Sequence, residues 1–381
     1  MRRRNLMRSA AALAAGTTGC LHEPPAEGAQ QPLWRYDVGA RVEAAFDGRV
    51  LGREDWRQGG TGGVVALDAD EGERLWRYGE THGYSTYTRL EFDDTGVYFG
   101  WGDDAIGSGE GEVYALDFDG GERWKADVGS VYSPPVAREG VVYVGSDRGS
   151  VHAFDAANGE RLWSTDVEDG AGDPSVEAVE AGVVYVAGDD VVHALDASNG
   201  DAVWRYGEDV RAHALEVDAG RVYLTEYGRT AAVEDGDELW SRELDGNDRL
   251  RGLSHGNLYV GDVYALDPSD GETRWRVDGG GEPAFADDAV YLGGERLRRV
   301  TPEGDVEWTE GFDDVDEVER IRAVDGGVYA VAGYEDEDEL HRVSDAGDVE
   351  RSVDVDGTVT GYVVDDAVYV GTIEDVKAYE R

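Results

Sequence analysis

The stretch GDDAIGSGEGE, Gly102 to Glu112, brings Asp103, Asp104, Glu110 and Glu112 close together. Clustered carboxylate oxygens are the hard ligands that calcium takes, so a calcium loop is one reading and a solvated acidic loop the other. DADEGE (68–73) and DPSDGE (267–272) carry a fainter version of the pattern, and turn chemistry accounts for both without a metal. Gly252-Leu253-Ser254-His255-Gly256 has the G-x-S-x-G spacing that presents a nucleophilic serine on a strand-to-helix elbow. It stands just before NLYVG, where the chain needs only a turn, so it is read as coincidence and no catalytic residue is assigned. Gly107-x-Gly109-x-Gly111 is followed by no helical pattern, so it is not a dinucleotide fingerprint. His82, His213 and His255 lack zinc spacing. His152 and His193 stand where Tyr114 and Tyr264 stand in parallel stretches, which makes them packing residues. The segment Tyr78–Arg89 sets Tyr78, Tyr84 and Tyr87 beside His82, either as a partner contact or as ordinary packing.

The elements that position these residues repeat. ALDASNGDAVWR (194–205) is nearly the same phrase as AFDAANGERLWS (153–164), ALDADEGERLWR (66–77) and ALDPSDGETRWR (265–276). Each cycle has an alternating stretch, a hairpin into a GVVYVG-type strand, a V-x-A-L-D strand, an Asp/Gly turn and a strand bearing tryptophan. The tryptophans are Trp34, Trp76, Trp124, Trp163, Trp204, Trp240, Trp275 and Trp308, with Arg351 or Ser352 in the next place. Their spacing is that of a four-stranded propeller blade, and the period-2 alternation predicts an all-β chain. A residue that recurs once per blade is expected to be an inter-blade staple, its ring in the wedge beside a small residue such as Ala194 and its indole N–H on a backbone acceptor. The predicted fold is a single β-propeller of four-stranded antiparallel blades over residues 33–381. LWRYDV at its start and VKAYE at its end each lack a partner strand, so the propeller is expected to close by pairing them. Counting gives nine cycles, the split one included. Irregularity in the Val50 or the Trp240–Trp275 unit would reduce nine to eight, and eight is preferred.

Composition narrows the partners. Against 35 basic residues stand 83 acidic ones, a formal net charge of -48, and Lys125 and Lys377 are the only lysines. Ten tryptophans and twenty tyrosines argue against disorder, and a protein built for concentrated salt, as in extreme halophiles, fits better. No basic patch is visible in the sequence beyond residue 8, which argues against nucleic acid as a partner. The N-terminal stretch differs in kind. MRRRNLMRSAAALAAGTTGC has a basic start and an apolar run too short to span a bilayer. Arg3 and Arg4 resemble the pair of a twin-arginine export signal, and Thr17-Thr18-Gly19-Cys20 resembles a lipobox. The expectation is an export signal over 1–20, lipid attachment at Cys20, a flexible tether over 21–32, and anchoring to the outer face of the cytoplasmic membrane. With one cysteine in the chain, no internal disulfide can form.

The motif A-x-D-x-x-x-G-x-x-x-W resembles the repeat of the PQQ (pyrroloquinoline-quinone) type β-propellers, a WD-like repeat architecture. That family includes quinoprotein alcohol dehydrogenases and a BamB-like, non-enzymatic branch of assembly lipoproteins in which eight blades are usual. The dehydrogenases imply a sealed central pocket, calcium, an Asp base and, in many, a vicinal disulfide that one cysteine rules out. The resemblance therefore implies a monomeric scaffold that binds a protein partner at the cell surface, not an enzyme, with no cofactor expected. The alternatives are a PQQ- and calcium-dependent dehydrogenase or a surface ligand-binding sensor.

Overall fold

The computed structural model describes residues 31–54, 62–79, 86–102, 110–167, 172–188, 191–207, 212, 215–226, 228–244, 249–261, 263–277, 280–312, 317–334 and 337–381. Its regular elements, among the described residues, are all strands. They form four-stranded antiparallel units in chain order: 40–78, 86–127, 136–166, 175–206, 215–243, 250–276, 280–310 and 317–354, with a ninth over 359–380. In the second unit the first strand is broken into two short pieces, both paired with Val97–Gly102. The seventh and eighth units touch edge to edge where Gly294 pairs with Val318.

The described residues thus hold nine units, and the preference for eight is corrected. The Val50 unit is a regular four-stranded sheet, and so is the unit between Trp240 and Trp275, although its third strand is only Tyr264–Leu266. The usual number in a family does not bind a chain whose repeat is written nine times.

The fourth unit shows how the repeated phrase folds. Val183–Ala187 pairs with Val192–Asp196, Tyr185 opposite Ala194, and Ala194 lies opposite Trp204 on the outer strand. The two middle strands are buried over nearly their whole length because each sheet is covered on both faces by its neighbours. Their alternation is therefore one of large against small, Tyr against Ala, rather than apolar against polar. On the outer strand the register shifts between Ala194 and Leu195, which leaves Val203 as a bulged residue, 53% exposed. The same bulge recurs at Leu75, Leu162 and Leu239, each directly before a tryptophan. A bulge re-aims the side chain beside it, and here it turns the tryptophan toward the next unit.

From the second unit to the eighth the first strands pack on one another in turn, and Ala40–Phe46 of the first unit packs on Val359–Val364 of the ninth. These first strands form the narrow inner side of the assembly. Near the N-terminus, Trp34–Tyr36 pairs with Val376–Glu380, Trp34 opposite Ala378 and Tyr36 opposite Val376, as the outer strand of the ninth sheet.

Candidate functional site

Two features beyond the bare sheets are built from many units at once: the contacts made by the tryptophans and a cavity among the first strands. At the outer side, the indole N–H of Trp34 donates to Ala69 O at 2.8 Å, Trp76 to Phe118 O at 2.9 Å and Trp124 to Ala156 O at 2.9 Å. Trp163 donates to Ala197 O at 2.9 Å, Trp240 to Pro268 O at 3.0 Å, Trp275 to Pro302 O at 2.8 Å and Trp308 to Asp345 O at 2.8 Å. Every acceptor lies in the turn of the following unit. The turn glycine beneath each ring has positive φ, and at Gly159 and Gly200 an added Cβ would stand 2.7 and 2.6 Å from the ring of Trp124 and Trp163. Trp204 stands farther from its turn glycine: a Cβ on Gly236 would lie 3.2 Å from Trp204 Cβ and 3.6 Å from its Cγ. The seat of the tryptophan ring is therefore the turn of the next unit, and Ala194, directly opposite Trp204 across the strands, belongs to the apolar cluster that Trp204 packs against. On their own sheets the rings other than that of Trp76 meet the middle-strand tyrosine, as Trp163 meets Tyr143 with centroids 5.9 Å apart.

At the inner side is a cavity of about 290 Å³ lined by Arg41, Glu43, Arg89, Glu282, Arg320 and Arg322 among others. Four arginines face two glutamates there, in a chain where acids outnumber bases more than twofold. Glu43 is already held by Arg53 at 2.5 Å and accepts the backbone N–H of Leu90 at 2.7 Å. Burial pushes the Arg41 guanidinium below its ordinary value; Glu43 opposes this, and the neighbouring charges of Arg53, Arg89 and Arg320 add to it. Arg320 has a φ of 43° inside a bulge that separates Glu319 from Arg322 on their shared strand, and Arg322 lies over the Tyr362 ring at 5.9 Å. Elsewhere on the inner strands, burial raises the carboxyls of Glu91, Glu177 and Glu216, although Glu91 accepts Ala137 N–H and Glu216 the N–H of Leu253.

The sequence reading missed these arginines. It found no basic patch beyond residue 8 because Arg41, Arg89, Arg320 and Arg322 are far apart in the chain and lie outside the repeated phrase. The one available signal was local: Arg320-Ile321-Arg322 in a chain so poor in bases.

Arg3, Arg4 and Cys20 lie outside the described residues, as do Asp103, Asp104, His82, Tyr84 and His213. Glu112 pairs with Lys125 at 2.9 Å and accepts the Tyr114 hydroxyl, while the backbone carbonyl of Glu110 accepts Ser130 Oγ at 3.1 Å. Tyr87 packs edge-on against Phe99, centroids 5.1 Å apart. Asp267 Oδ1 accepts the Ser269 hydroxyl and backbone N–H at 2.6 and 2.8 Å, and with Arg274 these bonds pull its carboxyl down to about 2. Asp68 likewise accepts the backbone N–H groups of Asp70 and Glu71. Both calcium-like phrases thus spend their first carboxylate on their own turn. Ser254 ends a strand whose hairpin turn is His255-Gly256, with no helix beneath it. His152 is buried, with Nδ1 2.9 Å from Ser164 Oγ. Among the described residues no group of three His, Cys, Asp or Glu side chains converges to hold a metal ion.

Repeated four-stranded units, most of them latched to the next turn by a tryptophan, define a β-propeller of the PQQ-repeat class. The family model for PQQ_2 repeats, described as outer membrane protein assembly factor BamB, matches residues 60–172, 147–261 and 231–312, and the chain belongs to this family. It is similar to the outer membrane protein assembly factor BamB of Burkholderia pseudomallei (strain K96243), 32% identical over 136 residues, 35% of this chain and 33% of that protein. The chain thus spans about a third of that relative's length. In fold it resembles the crystal structure of BamB from Moraxella catarrhalis, with a TM-score of 0.51 at 16% identity, over 91% of this chain and all of that one. It also resembles quinohemoprotein alcohol dehydrogenase from Comamonas testosteroni, with a TM-score of 0.53 at 15% identity, over 91% of this chain and 73% of that one.

Proposed function

We propose that this chain is an exported, lipid-anchored β-propeller that holds a protein partner at the cell surface. The observation that carries the reading is the family match across residues 60–312, whose description is that of an assembly factor. On this reading Cys20 bears the lipid on the outer face of the cytoplasmic membrane, and residues 21–32 let the propeller stand off from it. Pairing of Trp34–Tyr36 with Val376–Glu380 supports a ring closed by its two ends, because the ninth unit is then built from both. A monomer suffices for such a scaffold.

The alternative carried by the family resemblance is a quinoprotein dehydrogenase. The arginines of the inner cavity could face a quinone's carboxylates. The described carboxylates do not converge on a calcium position, so no catalytic step is derived. Adding PQQ and calcium to the purified chain separates the two readings. The scaffold predicts neither bound-cofactor absorbance nor dye-linked alcohol oxidation, and the appearance of both overturns it. Cys20→Ser tests the anchor: the variant should leave the membrane fraction, and retention as firm as before contradicts the assignment.

A further inference from the structure

We propose that the inner cavity is a binding site for a small multivalent oxyanion, a phosphate- or carboxylate-bearing molecule with two or more negative charges. Charge is inverted at the cavity. A chain of net charge -48 gathers Arg41, Arg89, Arg320 and Arg322 around one cavity, against Glu282 and a Glu43 that Arg53 already engages.

Among the described residues, no carboxylate lies within ion-pairing distance of Arg41, Arg89 or Arg322, whereas Arg77 pairs with Glu54 at 2.6 Å and Arg274 with Asp267 at 2.8 Å. The like charges outnumber the two glutamates of the cavity; burial is the main cause of the lowered proton affinity of Arg41 and Glu43 opposes it, while the charges of Arg53, Arg89 and Arg320 add to it. A non-glycine residue in the left-handed region costs free energy, and here the cost falls on Arg320, in a bulge that sets it beside Arg322. The cavity, about 290 Å³, is at the lower end of the size range of small-molecule sites, too small for a folded partner. Guanidinium forks match the paired oxygens of phosphate and carboxylate.

The site is independent of the scaffold reading, and so is its test. The full-length chain is titrated calorimetrically with tripolyphosphate and, separately, with citrate, at one fixed molar KCl concentration. We expect one equivalent of at least one of them to bind, the tighter of the two identifying phosphate or carboxylate as the preferred group. Arg41→Gln combined with Arg320→Gln should weaken binding about tenfold or more. Arg138→Gln, at an exposed arginine away from the cavity, should leave it unchanged. If the double variant does not fold by circular dichroism, Arg89→Gln and Arg322→Gln, both at exposed side chains, are read singly and each must weaken binding. Failure of the folded chain to bind either anion overturns the proposal, as does binding that the cavity variants leave intact. Partner capture from membranes bears on the scaffold and not on this site.

Discussion

Trp163 and Gly200 belong to neighbouring units and fit each other as a ring on a seat. The indole covers Gly200 so closely that a Cβ there would stand 2.6 Å from Cε3, while its N–H donates to Ala197 O in the same turn at 2.9 Å. Gly200 also has a φ of +77°, where an L side chain is strained. Gly200→Ala should therefore cost the backbone strain of about 1–2 kcal/mol and a further ~1–3 kcal/mol for displacing the ring and the Thr165 hydroxyl that lies beside it. Gly220→Ala, at a similar φ of +83° but facing open space, should cost the backbone part alone. Truncation of the ring itself, Trp163→Ala, should cost about 3–5 kcal/mol. Denaturant unfolding in molar salt measures all three, and equal losses for the two glycine variants would refute the latch.

The strand Val376–Glu380 lies inside the ninth sheet, between Trp34–Tyr36 and Ala367–Thr372. Ala378 and Tyr379 on it are buried, and Lys377 Nζ is 3.3 Å from Asp375. Deleting residues 376–381 should lower the melting temperature more than Trp163→Ala does, because two strands lose their ladder together. Deleting 33–36 removes only an outer strand and one tryptophan, and should cost about as much as a single ring. A melting curve untouched by the first deletion would sink the closed ring.

Acidification should loosen the fold through two histidines. Burial lowers His152 and His341 to about 4, with Arg161 and Arg148 adding to the effect at His152. Their folded values are depressed below the ordinary value of about 6.5, so the unfolded chain takes up protons first. The stability they contribute as neutral groups is present above about pH 6.5 and lost as pH falls toward 4. His152→Gln should flatten that part of the stability profile, read as unfolding midpoint against pH at constant salt. A slope between these pH values identical to that of the parent chain would contradict the assignment.

How much of this was legible in the sequence follows from where the signals lie. The tryptophans, the turn glycines and the Val-Tyr strands repeat at blade spacing, so the all-β class and the four-stranded unit could be read directly. The nine cycles could be counted as well, although the Val50 strand has Leu51 in place of its tyrosine and the sixth unit's strands are short; it was the family's usual number that favoured eight. That Trp163 reaches the next unit was legible from its recurrence once per blade, but its seat on Gly200 was not, because the phrase does not show the bulge at Leu162 that aims the ring. The arginine cavity was hidden for a different reason. It draws on first strands, which carry no repeated phrase, and joins residues as distant as Arg41 and Arg322.

Salt should govern stability across the whole molecule. With a net charge of -48, self-repulsion acts on every sheet at low ionic strength, and molar salt shortens the screening length to about 3 Å. The thermal midpoint should rise steeply from dilute buffer to molar KCl. No change in it would mean that the acidic surface does not strain the fold.

The scaffold reading rests most directly on whether the chain holds another protein. The measurement is quantitative co-purification of the tagged full-length chain from its native membranes in molar salt, with the Cys20→Ser variant alongside. The account predicts a membrane or exported protein recovered in near-stoichiometric amount with the anchored chain and depleted with the unanchored one. Recovery of the folded chain alone, from membranes where it is abundant, would contradict it.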